Sequence, residues 1–227
     1  MELKGIVFDL DSTLVESSVD FVKMKQRMIK VLEDNGHPKG VLSPTDMTTV
    51  KIMEEAEAEW NRQRKPEDKR GELREVMNEI MDRGEMESLE NLSEIQGASD
   101  TMKTLRKMGL RLAVLTRSHY NYAVEALKKT GMLDCFELIL GRGQTPQPKP
   151  YKEALEHTVK LMGLSIDEVM MVGDHQIDCD SATNCGCRFV GVATGHRGMK
   201  SWLNETPPTV LLQSVTELPI YIDKFCK

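Results

Sequence analysis

Residues 5–14 read Gly5-Ile6-Val7-Phe8-Asp9-Leu10-Asp11-Ser12-Thr13-Leu14, an apolar run that ends in two carboxylates one residue apart and then in hydroxyls. Ile6, Val7 and Phe8 form the short continuous apolar segment expected of a strand buried on both faces in a parallel sheet. In open α/β sheets the ligand crevice lies beyond the carboxyl ends of the strands, so Asp9 and Asp11 are expected to reach it. Two like charges this close are unfavourable unless a cation is bound or one carboxyl keeps its proton. In such a site Asp9 suits a carboxylate nucleophile, Asp11 a proton carrier, and Thr13 a hydroxyl that orients a bound group. The same residues also suit a solvated turn with helix-capping side chains, and this stretch alone leaves both readings open.

Three later stretches add to it. Residues 111–118, RLAVLTRS, form a second apolar strand that ends in the hydroxyl of Thr116. Pro148, Lys149 and Pro150 put a lysine at the expected start of a helix, and residues 169–178, VMMVGDHQID, form a third strand running into Gly173, Asp174 and Asp178. With the four motifs in this order, the chain resembles the haloacid dehalogenase superfamily, specifically its small-molecule phosphatases. The resemblance implies an α/β fold with a Rossmann-like parallel sheet core, made of residues 1–16 and 96–227, and an inserted α-helical cap domain, residues 17–95. It also implies Mg²⁺ as cofactor, held by Asp9, Asp174, the backbone carbonyl of Asp11, and Asp178 directly or from behind. Catalytic roles are implied for Asp9, Asp11, Thr116 and Lys149, and substrate contacts for Thr13, Thr116, Arg117 and Lys149.

Bulk properties agree with a small-molecule enzyme. The chain has 227 residues, a formal charge of -6 and a pI near 5.5, so there is no global basic footprint for nucleic acid or an anionic membrane. No apolar run approaches a membrane span, and Met1 leads directly into the first strand, from which a cytoplasmic protein is expected; its expected partner is a small phosphate ester, and its expected state is monomer or homodimer. The five cysteines are an odd number with no secretory signal and are read as free thiols, and the cluster Cys179, Cys185 and Cys187 lacks the paired Cys-x-x-Cys spacing of a zinc site.

From Ser17 to about Glu94 the chain is charged, helical in pattern and poor in strand formers. One helix is expected through Met24, Met28, Ile29 and Leu32 up to Asn35 and Gly36, and a second from near Ser43 through Ile52, Ala56 and Trp60. A third begins at Pro66 and carries Leu73, Met77 and Met81, with Gly84 as a break. The apolar stripes are read as the unit's own core, and the mixed charges as a solvated face.

After Gly97 helices alternate with strands, including a strand over 136–140. Thr116 is expected at the crevice, its hydroxyl and the N–H groups after it available to a phosphate oxygen, although capping the next helix is a compatible role. Arg117 either reaches an anionic group of the substrate or faces solvent. His175 is read as an exposed histidine, Asp180 as helix surface, and Arg197 as part of a loop near the site. No Gly-x-x-x-x-Gly-Lys or Gly-x-Gly-x-x-Gly fingerprint is present, which argues against nucleotide-hydrolase and dinucleotide chemistry.

Within the superfamily the chain looks most like phosphoglycolate phosphatases. The expected function is Mg²⁺-dependent hydrolysis of a small phosphate monoester through an aspartyl-phosphate. The alternatives are an inorganic pyrophosphatase, a phosphomutase, or a non-catalytic regulatory protein that binds a phosphorylated ligand.

Overall fold

The computed structural model describes residues 2–16, 18–195, 198, 202 and 208–225. The chain divides into two compact units: Met1–Ser17 with Leu89–Lys227, and Ser18–Ser88.

The first unit is an α/β fold around a six-stranded sheet. Its strands in chain order are β1 (Gly5–Phe8), β4 (Arg111–Leu115), β5 (Leu138–Leu140), β6 (Val169–Gly173), β7 (Arg188–Val192) and β8 (Leu211–Leu212), the numbers β2 and β3 going to Val15–Glu16 and Ser93–Glu94. The spatial order is β5-β4-β1-β6-β7-β8, and every pairing is parallel. The central strands β1, β4 and β6 are almost wholly buried, as helices on both faces require. These helices are α4 (Ala98–Lys107), α5 (Tyr120–Lys129), α6 (Lys152–Leu161), α7 (Gln176–Cys185) and α8 (Leu218–Phe225). Val7, Ala113 and Met171 from the strands pack with Leu155 and Val159 of α6 in one continuous core.

Strand order reverses at β1. From there the chain builds β4 and β5 on one side, then returns to lay β6, β7 and β8 on the other. Ligand crevices of open α/β sheets form at such reversals, beyond the carboxyl ends of the strands. The β1–β6 register, Phe8 opposite Val172, sets Asp9 and Asp174 side by side there. The chain leaves and re-enters this unit through the short antiparallel pair β2–β3, Val15 opposite Glu94.

The second unit holds three helices: α1 (Phe21–Asp34), α2 (Thr49–Arg62) and α3 (Glu67–Ser88). Met24, Met28, Leu32, Ile52, Ala56, Trp60, Leu73 and Met77 are buried, so the apolar stripes are this unit's core. The guanidinium of Arg74 lies 5.9 Å from the Trp60 ring centroid and bonds both oxygens of Glu57. No helix among the described residues is long and apolar enough to cross a membrane, and the four described cysteines are free.

Four local expectations are corrected. Helix α2 starts at Thr49 rather than near Ser43, because Ser43 Oγ donates to Asp46 Oδ2 at 2.6 Å and accepts from Asp46 N at 3.2 Å, closing a separate turn and leaving Thr48 as the cap. Strand β5 starts at Leu138 rather than Phe136, whose N–H is taken by Leu133 O in a 3-10 turn. Lys149 precedes α6 by three residues instead of starting it: a residue before proline is disfavoured in helical conformation, and Tyr151 is the N-cap. Gly84 is no break. Helix α3 runs through it, and a Cβ there would lie 3.0 Å from Met24 Cε, so the glycine marks close packing against α1.

That contact is with the mobile end of a methionine, so Gly84→Ala is expected to raise stability by up to ~1 kcal/mol through helix propensity. A thermal melt should show a midpoint roughly 2–4 °C higher. A lower midpoint would mean that Met24 cannot yield.

Candidate active site

The site begins with the turn after β1. The N–H of Asp9 donates to Val172 O at 2.9 Å, extending the sheet ladder by one rung beyond Phe8. The chain then folds back at once: Leu14 N donates to Leu10 O at 2.9 Å and Ser12 N to Val15 O at 2.8 Å. Ser12 takes a φ of 63°, a left-handed conformation that non-glycine residues seldom adopt and that is concentrated at functional sites. This reversal turns Thr13 inward, fully buried, where its Oγ1 donates to Asp174 Oδ1 at 3.1 Å.

Asp174 follows β6, and Asp178 stands in the first turn of α7. Asp178 Oδ2 accepts from His175 N at 3.2 Å, which makes it half of a capping box. Two glycines let backbone press against these carboxylates. A Cβ on Gly173 would fall 2.4 Å from Asp178 Oδ2, and one on Gly195 would fall 2.4 Å from Asp174 Oδ2. Lys149 arrives from the loop after β5. Only 2 % exposed, it donates to Asp9 Oδ1 at 2.5 Å and to Asp178 Oδ1 at 2.7 Å.

Oxygens of Asp9, Asp174 and Asp178 all lie within 4.8 Å of one another. If all are ionised, three negative charges face the one positive charge of Lys149 in a desolvated space. Burial, with the charge of Asp178 added, pushes the Asp9 carboxyl up to about 6 against the pull of Lys149. Asp174 is raised well above its ordinary value by burial and then by Asp9 and Asp178. Burial alone would lower Lys149, but the attraction of Asp178 and Asp9 outweighs it and holds the ammonium above its ordinary value. A compact divalent cation with oxygen preference would remove this conflict, so the donor set fits Mg²⁺.

Asp9, Thr13, Lys149, Asp174 and Asp178 are thus brought together. Thr116 stands at the end of β4, buried, its Oγ1 accepting from Ser118 N at 3.1 Å. Arg117 is half-buried, and its carbonyl accepts from Arg142 Nη1 at 3.3 Å. The carboxylate of Asp11 is not part of the three-carboxylate group; it accepts from Ser118 Oγ at 2.8 Å and Tyr122 OH at 2.7 Å. His175 is exposed and caps α7, with Nδ1 accepting from Ile177 N at 3.2 Å. Asp180 is half-buried and accepts from Gln176 Nε2 at 2.7 Å, while Arg197 lies outside the described residues. Ser118, Tyr122 and Gly195 were missed from sequence. No local pattern separates them from an ordinary strand-end serine, a helix tyrosine or a loop glycine.

The family model described as haloacid dehalogenase-like hydrolase matches residues 6–192. A phosphoglycolate phosphatase of Neisseria meningitidis is 35% identical over 116 residues, 50% of this chain and 49% of that protein, so the chain spans about half the length of that relative. A phosphoglycolate phosphatase of Cereibacter sphaeroides is 28% identical over 223 residues, 96% of each chain. A crystal structure described as a predicted phosphoglycolate phosphatase from Haemophilus somnus shares the fold with a TM-score of 0.66 at 21% identity, covering 97% of this chain and 98% of that one.

Removing the buried ammonium should leave the carboxylates uncompensated. Without divalent ions, Lys149→Met is expected to lose about 3–5 kcal/mol in urea unfolding, and a second change, Asp178→Asn, to restore part of it. Wild-type stability in Lys149→Met would show that the pair carries no such strain.

Proposed function

The chain belongs to the haloacid dehalogenase-like hydrolase family, and we propose on that premise that it hydrolyses a small-molecule phosphate monoester with Mg²⁺ through an aspartyl-phosphate on Asp9. The observation that supports this most is the ammonium of Lys149 on Asp9 Oδ1, with oxygens of Asp9, Asp174 and Asp178 within 4.8 Å of one another.

Asp9 is the nucleophile. Its bond to Lys149 keeps one oxygen oriented, and the lysine charge offsets the repulsion between an attacking carboxylate and a phosphate dianion. Asp11, two residues on, gives a proton to the departing alcohol and then takes one from the water that cleaves the intermediate. Thr116 offers its hydroxyl, at the carboxyl end of the neighbouring strand, to a phosphoryl oxygen. Arg117 is assigned to a further anionic group of the substrate. Thr13 and Asp178 hold Asp174 and Lys149 in place, as their hydrogen bonds indicate. Asp9, Asp174 and the Asp11 carbonyl would hold Mg²⁺, with Asp178 beside them, and the ion when bound neutralises the phosphoryl oxygens and the carboxylates together. In this reading the helical unit Ser18–Ser88 is the cap, the part that selects the substrate. The names of the relatives point to phosphoglycolate as the first substrate to try.

Phosphate release from a panel of metabolite phosphates, pyrophosphate and p-nitrophenyl phosphate, with Mg²⁺ or with EDTA, tests the proposal. Turnover is expected only with Mg²⁺, highest on a small carboxylated monoester, and lowered at least ~10⁴-fold in a folded Asp9→Asn variant. Undiminished turnover by Asp9→Asn would end the proposal.

A further inference from the structure

Asp11 is held at both carboxylate oxygens by hydroxyls from a different strand end. Ser118 Oγ reaches Oδ2 and Tyr122 OH reaches Oδ1. Both donors are buried, Tyr122 completely. One such bond would leave the carboxylate free to turn about it; two, one on each oxygen, fix its plane as well as its direction.

The donors are themselves held in place. Tyr122 lies in the first turn of α5, whose start is capped by His119 accepting from Asn121 N at 3.2 Å. Ser118 O accepts from Arg142 N at 2.9 Å. Gly141 presses on the same segment so closely that a Cβ there would meet Tyr120 N at 2.6 Å and Ser118 O at 2.8 Å. The chain after β5 therefore buttresses the segment that grips Asp11.

We propose that Ser118 and Tyr122 are positioning residues for Asp11, holding the proton carrier at one angle through both halves of the reaction. Hydroxyls suit this task because each both donates and accepts, and so bonds a carboxyl with or without its proton; an ammonium could only donate. This inference deepens the phosphatase reading and rests on it. In the first half the Asp9 Oδ–P bond forms, the bond from phosphorus to the alcohol oxygen breaks, and the Asp11 proton passes to that oxygen. In the second half water oxygen bonds phosphorus, the Asp9–P bond breaks, and the water proton passes to Asp11. Both transfers require Asp11 to face a reacting oxygen, and small displacements of such a group are costly.

The test is kcat/KM, which reports steps through loss of the leaving group, on an alkyl phosphate and on p-nitrophenyl phosphate. The alkoxide needs a proton to depart; p-nitrophenolate does not. Tyr122→Phe and Ser118→Ala should each lose about tenfold to a hundredfold more on the alkyl ester than on the aryl ester. Asp11→Asn should show the same split more strongly, and adding Tyr122→Phe to it should cost nothing further. Thermal melts check folding, and if one variant is unfolded the other gives the same reading. Absence of turnover by the wild type would remove the phosphatase reading itself. Wild-type turnover with a split in Asp11→Asn, but equal losses on both esters in Tyr122→Phe and Ser118→Ala, would overturn only the positioning role, as would additive losses in the double variant.

Discussion

A buried ammonium between two carboxylates is the contact on which the site depends. Lys149 has left water almost entirely, and it stays charged because Asp9 and Asp178 both face it. The carboxylates in turn tolerate one another because the ammonium lies between them, and Asp174 remains the uncompensated member. The excess negative charge gives the cluster the oxygen donors that suit a divalent cation and leaves Asp9 an oriented, poorly solvated oxygen. Replacing these groups by apolar residues would often make such a core more stable; retaining them is the mark of a functional site.

The fold exists to produce this meeting. Asp9 and Asp174 are far apart in the chain, and adjacent parallel strands in register bring them together at the point where strand order reverses. The turn after Phe8 adds Thr13 at the cost of a left-handed Ser12, and the glycines at 173 and 195 remove the side chains that would collide with the carboxylates. The site is built from strand ends and the first turns that follow them, which a buried sheet holds rigidly.

Much of this was legible in the sequence. Continuous apolar runs identified β1, β4 and β6, and the polar residues at their ends, Asp9, Thr116 and Asp174, announced where the crevice lies. Helical periodicity identified α1 to α3 and their core, since burial of Met24, Trp60 and Met77 follows from spacing alone. What escaped was set by local hydrogen bonds or by tertiary contact. The Ser43–Asp46 turn delayed α2, the Leu133 carbonyl took the N–H that Phe136 would have given to a strand, and Gly84 answered to Met24 instead of ending α3. The grip of Ser118 and Tyr122 on Asp11 joins residues more than a hundred positions apart, and no pattern within either stretch encodes it.

Under the proposed function, charge crowding at these strand ends serves a phosphoryl group on Asp9. A crystal structure grown with Mg²⁺ and beryllium fluoride, which mimics a phosphorylated carboxylate, tests it most directly. A beryllium adduct is expected on a carboxylate oxygen of Asp9, with the metal ion bound by Asp9 and Asp174. An unmodified Asp9, with the ion elsewhere or Lys149 withdrawn from the cluster, would contradict it.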